Sequence, residues 1–205
     1  MTFLNNSEKQ RISAAIAAVE RNTSGELVTV ITRYSDDYRY IPYLWAALLA
    51  LLVPGILSLG IVPLAANLDY LVQICTFLGA AVVFNWPPLK VRLIPARVRK
   101  LRAHRLAQEQ FFRQNLHTTP GRTGVLLFVS VAEHYVEIIA DKGINDVVQD
   151  SDWETIVARF VEEVKNNRVA DGFLTAINAC GALLAEHFPV AGEKTDALPN
   201  HLIEL

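Results

Sequence analysis

IPYLWAALLALLVPGILSLGIVPL, residues 41–64, and YLVQICTFLGAAVVFNWPPL, residues 70–89, contain no charged side chain. Over the fifty residues between Arg39 and Lys90 the only formal charge is Asp69. A helix of about 20 mostly apolar residues crosses roughly 30 Å of hydrocarbon, and both stretches are that long. Only Ala66-Asn67-Leu68-Asp69 separates them, so residues 41–89 are expected to form a transmembrane helical hairpin. Pro54, Gly55, Gly60 and Pro63 predict a kinked first span. Tyr43, Trp45, Tyr70 and Trp86 stand near the span ends, where interfacial aromatic residues are expected. No ionisable residue lies at mid-depth, so the hairpin offers no transport route.

Working outward, the flanks are polar and patterned. Setting the hairpin aside leaves roughly 155 residues, enough for one core. The reading is one discontinuous domain, 1–40 with 90–190, interrupted by its own anchor and followed by an extended tail, 191–205. Directly after the second span stand Lys90, Arg92, Arg97, Arg99, Lys100 and Arg102, then Arg105. Cations beside a span mark the cytoplasmic side and contact anionic headgroups. Two spans return the chain to the side it left. The expected location is therefore the inner membrane, two-pass, with the domain and both termini cytoplasmic, and with the lipid bilayer itself as a partner. The start of the chain has no basic segment leading into an apolar run, so no cleavable signal peptide is expected.

The net charge of −2 conceals an asymmetry: from Thr123 onward fourteen Asp and Glu face five Lys and Arg. That balance argues against nucleic acid as a partner. Cys75 and Cys180 fall in dissimilar surroundings and suggest neither a disulfide nor a metal pair.

Ser7-x-x-Gln10 reads as a capping box before a helix from Ser7 to Arg21. Glu26–Thr32 and Gly124–Ser130 are continuous apolar runs, as strands buried on both faces should be. Val131–His134 is a tight turn, and Tyr135–Ala140 completes a hairpin. A helix with arginines in its early turns runs from Pro95 to about Leu116. Ser151-x-x-Glu154 announces another, carrying Trp153, Ile156 and Phe160 on one face, and Ala170–His187 forms the last. A helix between the first two strands makes them parallel, with the third antiparallel to the second. The fold class is α/β.

This topology gathers one edge of the sheet. Glu26, Arg122 and Thr123 would lie there with Asp141 and Asp146, and Asp150 and Asp152 would follow at the next helix start. Converging carboxylates suit a hard cation, Ca2+ or Mg2+, and Arg122 would then meet a phosphate. The plainer reading is a Glu26–Arg122 ion pair, with Asp150 and Asp152 favouring a helix N-terminus. The spacing of Asp146, Asp150 and Asp152 does not match the twelve-residue calcium loop.

TSGELVTVIT and RTGVLLFVSVAEHYVEIIADKGI, with the Asp-bearing loop, the Trp-led helix and the ending ALPNHLIEL, resemble the TPM domain family, and within it a membrane-inserted bacterial branch. The resemblance implies a three-layer α/β/α sandwich, compatibility with calcium, and roles ranging from acid phosphatase activity in chloroplasts to assembly or maintenance of membrane complexes. The chain departs from the family arrangement of a signal peptide before the domain and a single helix after it. Neither an activated nucleophile nor a metal box stands out, and Cys180 lies on an apolar helix face. The expectation is a non-catalytic interaction or assembly factor for a membrane protein complex. A membrane-tethered, metal-dependent phosphatase is the alternative.

Overall fold

Sequence periodicity translates directly into the elements of the computed structural model, which describes residues 4–60, 66–190 and 202–205. The chain divides into two units, Met1–Ser35 with Arg102–Leu205, and Asp36–Leu101. The mixed α/β unit is built on four strands: β1 (Glu26–Thr32), β2 (Gly124–Ser130), β3 (Tyr135–Ala140) and β4 (Ile203–Glu204). Their order is β3-β2-β1-β4. β1 runs parallel to β2, with Glu26 opposite Gly124 and Thr32 opposite Ser130. β3 is antiparallel to β2, and β4 is parallel to β1 at Val30 and Ile31.

Strands β1 and β2 are buried at every position, which is why their sequences are apolar without alternation. Leu27, Ile31, Val125, Leu127 and Val129 point into a core with α1 (Asn6–Glu20), α7 (Asp150–Lys165) and α8 (Val169–His187). Val28, Val30, Leu126 and Phe128 point the other way, onto Ala103, Ala107 and Phe111 of α5 (Ala96–Arg113). Phe160 and Phe173 meet edge to face at 5.1 Å, and both are fully buried. Each such aromatic or branched side chain contributes about 1.5–3 kcal/mol by leaving water.

α1 lies close upon α8. A Cβ added at Gly181 would stand 2.5 Å from Val19 Cγ2, so only hydrogen fits there. Thr23 ties the exit of α1 to the end of α8 by donating to Phe188 O at 2.6 Å. Because β4 is only two residues long, the early part of β1 needs another acceptor. Glu20 supplies it, its Oε1 taking the Leu27 N–H at 3.0 Å.

Two helix starts differ from expectation. Asn5 caps α1, accepting from Glu8 N at 2.8 Å while Glu8 Oε2 takes the Asn5 N–H at 2.7 Å. Ser7 is already inside the helix. Likewise α7 begins one residue before Ser151, and Asp152 accepts from Gln149 N at 3.3 Å. The tail residues Ile203 and Glu204 join the sheet, and Lys9 of α1 reaches Glu204 at 2.9 Å. The rest of the expected tail, 191–201, lies outside the described residues.

The second unit comprises α2 (Tyr40–Gly60), α3 (Ala66–Phe84), α4 (Pro87–Arg92) and the first turns of α5. α2 continues through Pro54. Ala66 to Asp69, expected as the break between two spans, instead forms the first turn of α3; residues 61–65 lie outside the described residues. The second apolar stretch ends sooner than Leu89, because Pro87 opens α4. Tyr38, Ile41 and Ile94 form a small core, and the Trp45 indole donates to Leu93 O at 3.1 Å. Most large apolar side chains of α2 and α3 remain exposed, among them Leu51, Leu52, Ile56, Ile74, Leu78 and Val82. By length and hydropathy, α2 over Tyr40–Leu57 and α8 could each cross a membrane; α3 carries a shorter apolar run, Leu68–Phe84.

Candidate functional site

The parallel register of β1 and β2 brings the expected edge together. Glu26 N donates to Thr123 O at 3.1 Å, and Thr123 Oγ1 donates to Ser24 O at 3.3 Å. Gly121 and Arg122 both have positive φ, +75° and +57°, which turns the chain back over the sheet end. A Cβ at Gly143 would overlap the carbonyl oxygens of Gly121 and Arg122, so this turn seats against α6 (Lys142–Asn145) only because that position is glycine.

The turn aims Arg122 at Asp141. Its Nε and Nη2 reach the two carboxylate oxygens at 2.7 and 2.8 Å, and Lys142 N donates to Asp141 Oδ1 at 2.7 Å. The ion pair expected between Arg122 and Glu26 is thus replaced by a bidentate pair with Asp141, the residue antiparallel pairing sets beside Gly124. Asp141 is buried and Arg122 half exposed. Hydrogen bonding to Asp141, then its negative charge, hold the guanidinium above its ordinary pKa. Asp141 also caps α6, so its oxygens are committed to local structure.

The remaining expected carboxylates go elsewhere. Asp146 is the exposed C-cap of α6, Asp150 stands in the first turn of α7, and Asp152 bonds back to Gln149. Among the described residues, no group of three or more His, Cys, Asp or Glu side chains is placed to hold a metal ion. Cys180 is wholly buried, and burial pushes its thiol up to about 12.

At the opposite end of the sheet lies a polar cluster the sequence did not announce. Ser35 Oγ meets Ser130 Oγ at 2.7 Å, Ser35 N donates to Glu133 Oε1 at 3.0 Å, and Ser130 Oγ donates to Glu133 Oε2. Ser130 and Glu133 are buried. The hydroxyls and the carboxylate satisfy one another where β1 ends and the chain departs, which is a structural clamp.

A third feature is a groove of about 560 Å³ along the outer side of β3. β3 is the sheet's last strand and is only partly buried along its whole length. His104 and Gln108 of α5 form one wall; Trp153, Glu154 and Val157 of α7 form the other. His104 Nδ1 lies 2.9 Å from Glu137 Oε1, and Tyr135 donates to Glu137 Oε2 at 3.0 Å. Burial, then the charge and hydrogen bond of Glu137, raise the Tyr135 pKa. Trp153 is buried, and its indole N–H has no acceptor among the described residues. Sequence reasoning missed this groove, although one signal was available: after Tyr135–Ala140 the next elements are helices, which leaves that strand at an edge.

Residues 94–183 match the TPM domain family. The TPM match contains the Arg122–Asp141 latch and every residue lining the groove. Among solved structures, the NMR structure of BA42 protein from the psychrophilic bacterium Bizionia argentinensis is similar in fold, with a TM-score of 0.63 at 22% identity, covering 100% of this chain and 97% of that one. No curated protein sequence matches.

Proposed function

We propose that this protein is a membrane-anchored binding protein: α2 and α3 cross the inner membrane as a hairpin, and the TPM-matched α/β unit serves as a cytoplasmic interaction or assembly module for a membrane complex. The observation that carries the reading is the exposure of apolar side chains around α2 and α3, such as Leu52, Ile56, Leu78 and Val82, in helices with one formal charge between them. Water makes that surface unfavourable by roughly 1.5–3 kcal/mol per large side chain, and hydrocarbon removes the penalty. Trp45 and Trp86 suit the interfaces, and Lys90, Arg92, Arg97, Arg99, Lys100 and Arg102 suit the cytoplasmic side and its anionic headgroups.

The chain leaves the α/β unit after Ser35 and re-enters it at Arg102, so both spans serve one folded body. Binding is favoured over catalysis because the polar groups at the two sheet ends bond one another. Asp141 gives its oxygens to Arg122 and Lys142, and Ser130 is engaged by Glu133 and Ser35. The test is fractionation of cells expressing the full chain. The protein should remain with membranes after alkaline carbonate washing and leave them only in detergent. Recovery as a soluble monomer without detergent would contradict the anchor.

A further inference from the structure

We propose that the groove beside β3 receives an extended, lysine- or arginine-bearing segment of a partner protein as an added strand. The inference rests on the binding reading above and needs nothing from the membrane anchor.

Backbone register supplies the first argument. Asp141 N donates to Gly124 O at 2.9 Å, and successive opposed pairs run from Val125–Ala140 to Ser130–Tyr135. Hydrogen-bonded pairs alternate in an antiparallel ladder, so Ile139, Glu137 and Tyr135 turn their N–H and C=O toward β2, while Val136, Ile138 and Ala140 turn theirs outward. Asn145 Nδ2 already donates to Ala140 O at 2.9 Å. Val136 and Ile138 are left to present donor and acceptor about 6.7 Å apart, the two-residue repeat of another strand. β3, Tyr-Val-Glu-Ile-Ile-Ala, has no proline or lysine to blunt it.

The walls specify the side chains. Val136 and Ile138 pack toward the α7 face, beside Trp153 and Val157, which gives an apolar strip for alternate residues of the incoming strand. Charge sets the polar character of that segment: Glu137 beside His104 of α5 and Asp150 and Glu154 on α7 put carboxylates on both walls, with no lysine or arginine among the described lining residues. The Trp153 N–H, buried without an acceptor among the described residues, is an independent sign that points to a partner with carbonyl groups. A second copy of this chain would set its own three carboxylates against these, so a basic segment fits and self-pairing through this edge does not. The volume lies within the roughly 300–1,000 Å³ usual for ligand sites, and strand addition is an established way to bind peptides.

The experiment titrates the full chain, in detergent micelles or lipid nanodiscs, with a short fluorescent peptide alternating valine and lysine. One control replaces lysine with glutamate; the other methylates alternate backbone amides of the valine–lysine peptide, so that it cannot extend a sheet. The unmodified peptide should bind at least about ten-fold more tightly than either control. The variant Glu154→Lys, altered at an exposed α7 position beyond the first turn, should weaken binding about ten-fold with an unchanged melting temperature. Bound peptide should slow amide exchange at Val136 and Ile138.

Equal binding of the methylated peptide, equal binding of the glutamate peptide, or no saturable binding of any peptide overturns the proposal. So does self-association through β3 that the peptide cannot displace. A chain that resists carbonate and recruits partners yet ignores these peptides removes this inference and leaves the anchored-binding reading in place. A soluble chain that binds them does the reverse.

Discussion

α2 and α8 pass the same test of length and hydropathy, yet they have opposite surroundings. α2 carries the more apolar run, Tyr40–Leu57, and leaves most of it uncovered, whereas a larger share of α8 is buried. α8 is the less apolar helix and the more buried one. Its apolar residues form one face, Phe173, Ala176, Ile177, Cys180 and Leu184, set into the core with α1, α7 and the sheet. α2 is apolar around its circumference and, within its own unit, packs mainly against α3. Hydropathy alone does not tell a core helix from a spanning one; the width of the apolar face against the area available to cover it does.

The largest difference should appear on placing a charge in each helix. Leu184→Asp buries an unpaired carboxylate beneath α1 and should abolish cooperative unfolding of the α/β unit, followed by near-ultraviolet circular dichroism. Leu52→Asp at mid-α2 should leave that signal intact and cost insertion about 2.5–3.5 kcal/mol, read as protein lost from the carbonate-resistant fraction. A Leu52→Asp chain that lost the α/β signal would erase the contrast.

A smaller effect is expected at the helix contact. Gly181→Val should destabilise the α/β unit by about 1–3 kcal/mol in urea titration, since a Cβ and two methyl groups must enter space held by Val19. The equivalent change at Gly55 of α2, where an added Cβ meets nothing within 4 Å, should leave the unfolding midpoint unchanged.

The smallest effect is confined to alkaline pH. Tyr135 has a raised pKa in the folded chain, so the unfolded chain loses its phenolic proton first. Stability from this residue is therefore complete below the ordinary tyrosine value and falls as pH climbs from there toward the raised one. Tyr135→Phe should flatten that alkaline decline and leave neutral stability within about 1 kcal/mol, measured by thermal melts across pH. The Arg122 pair should not contribute to the slope: its guanidinium pKa is raised too, so its share is lost only above the ordinary arginine value.

The same contrast explains what the sequence disclosed. Strands β1, β2 and β3, their directions and the meeting of Glu26, Arg122, Thr123 and Asp141 were legible because long apolar runs and a tight Val131–His134 turn constrain register strongly. Ile203–Glu204 was not, since two residues carry no periodicity and become a strand only through β1. The caps were misplaced because Asn5 with Glu8 and Ser7 with Gln10 have equal spacing, and only backbone geometry chooses between them. Arg122 found Asp141 rather than Glu26 because positive φ at Gly121 and Arg122 redirects the side chain, which composition does not reveal. Ser35, Ser130 and Glu133 are brought together across the intervening second unit, Asp36–Leu101, beyond the reach of local pattern.

Photolabelling of the reconstituted full chain with a lipid-soluble carbene precursor tests the central claim most directly, because it asks the same question of both helices in one sample. After mass mapping, label should concentrate in Tyr40–Gly60 and Ala66–Phe84 and be absent from Val169–His187. Equal label in α8, or none in α2 and α3, would contradict the account.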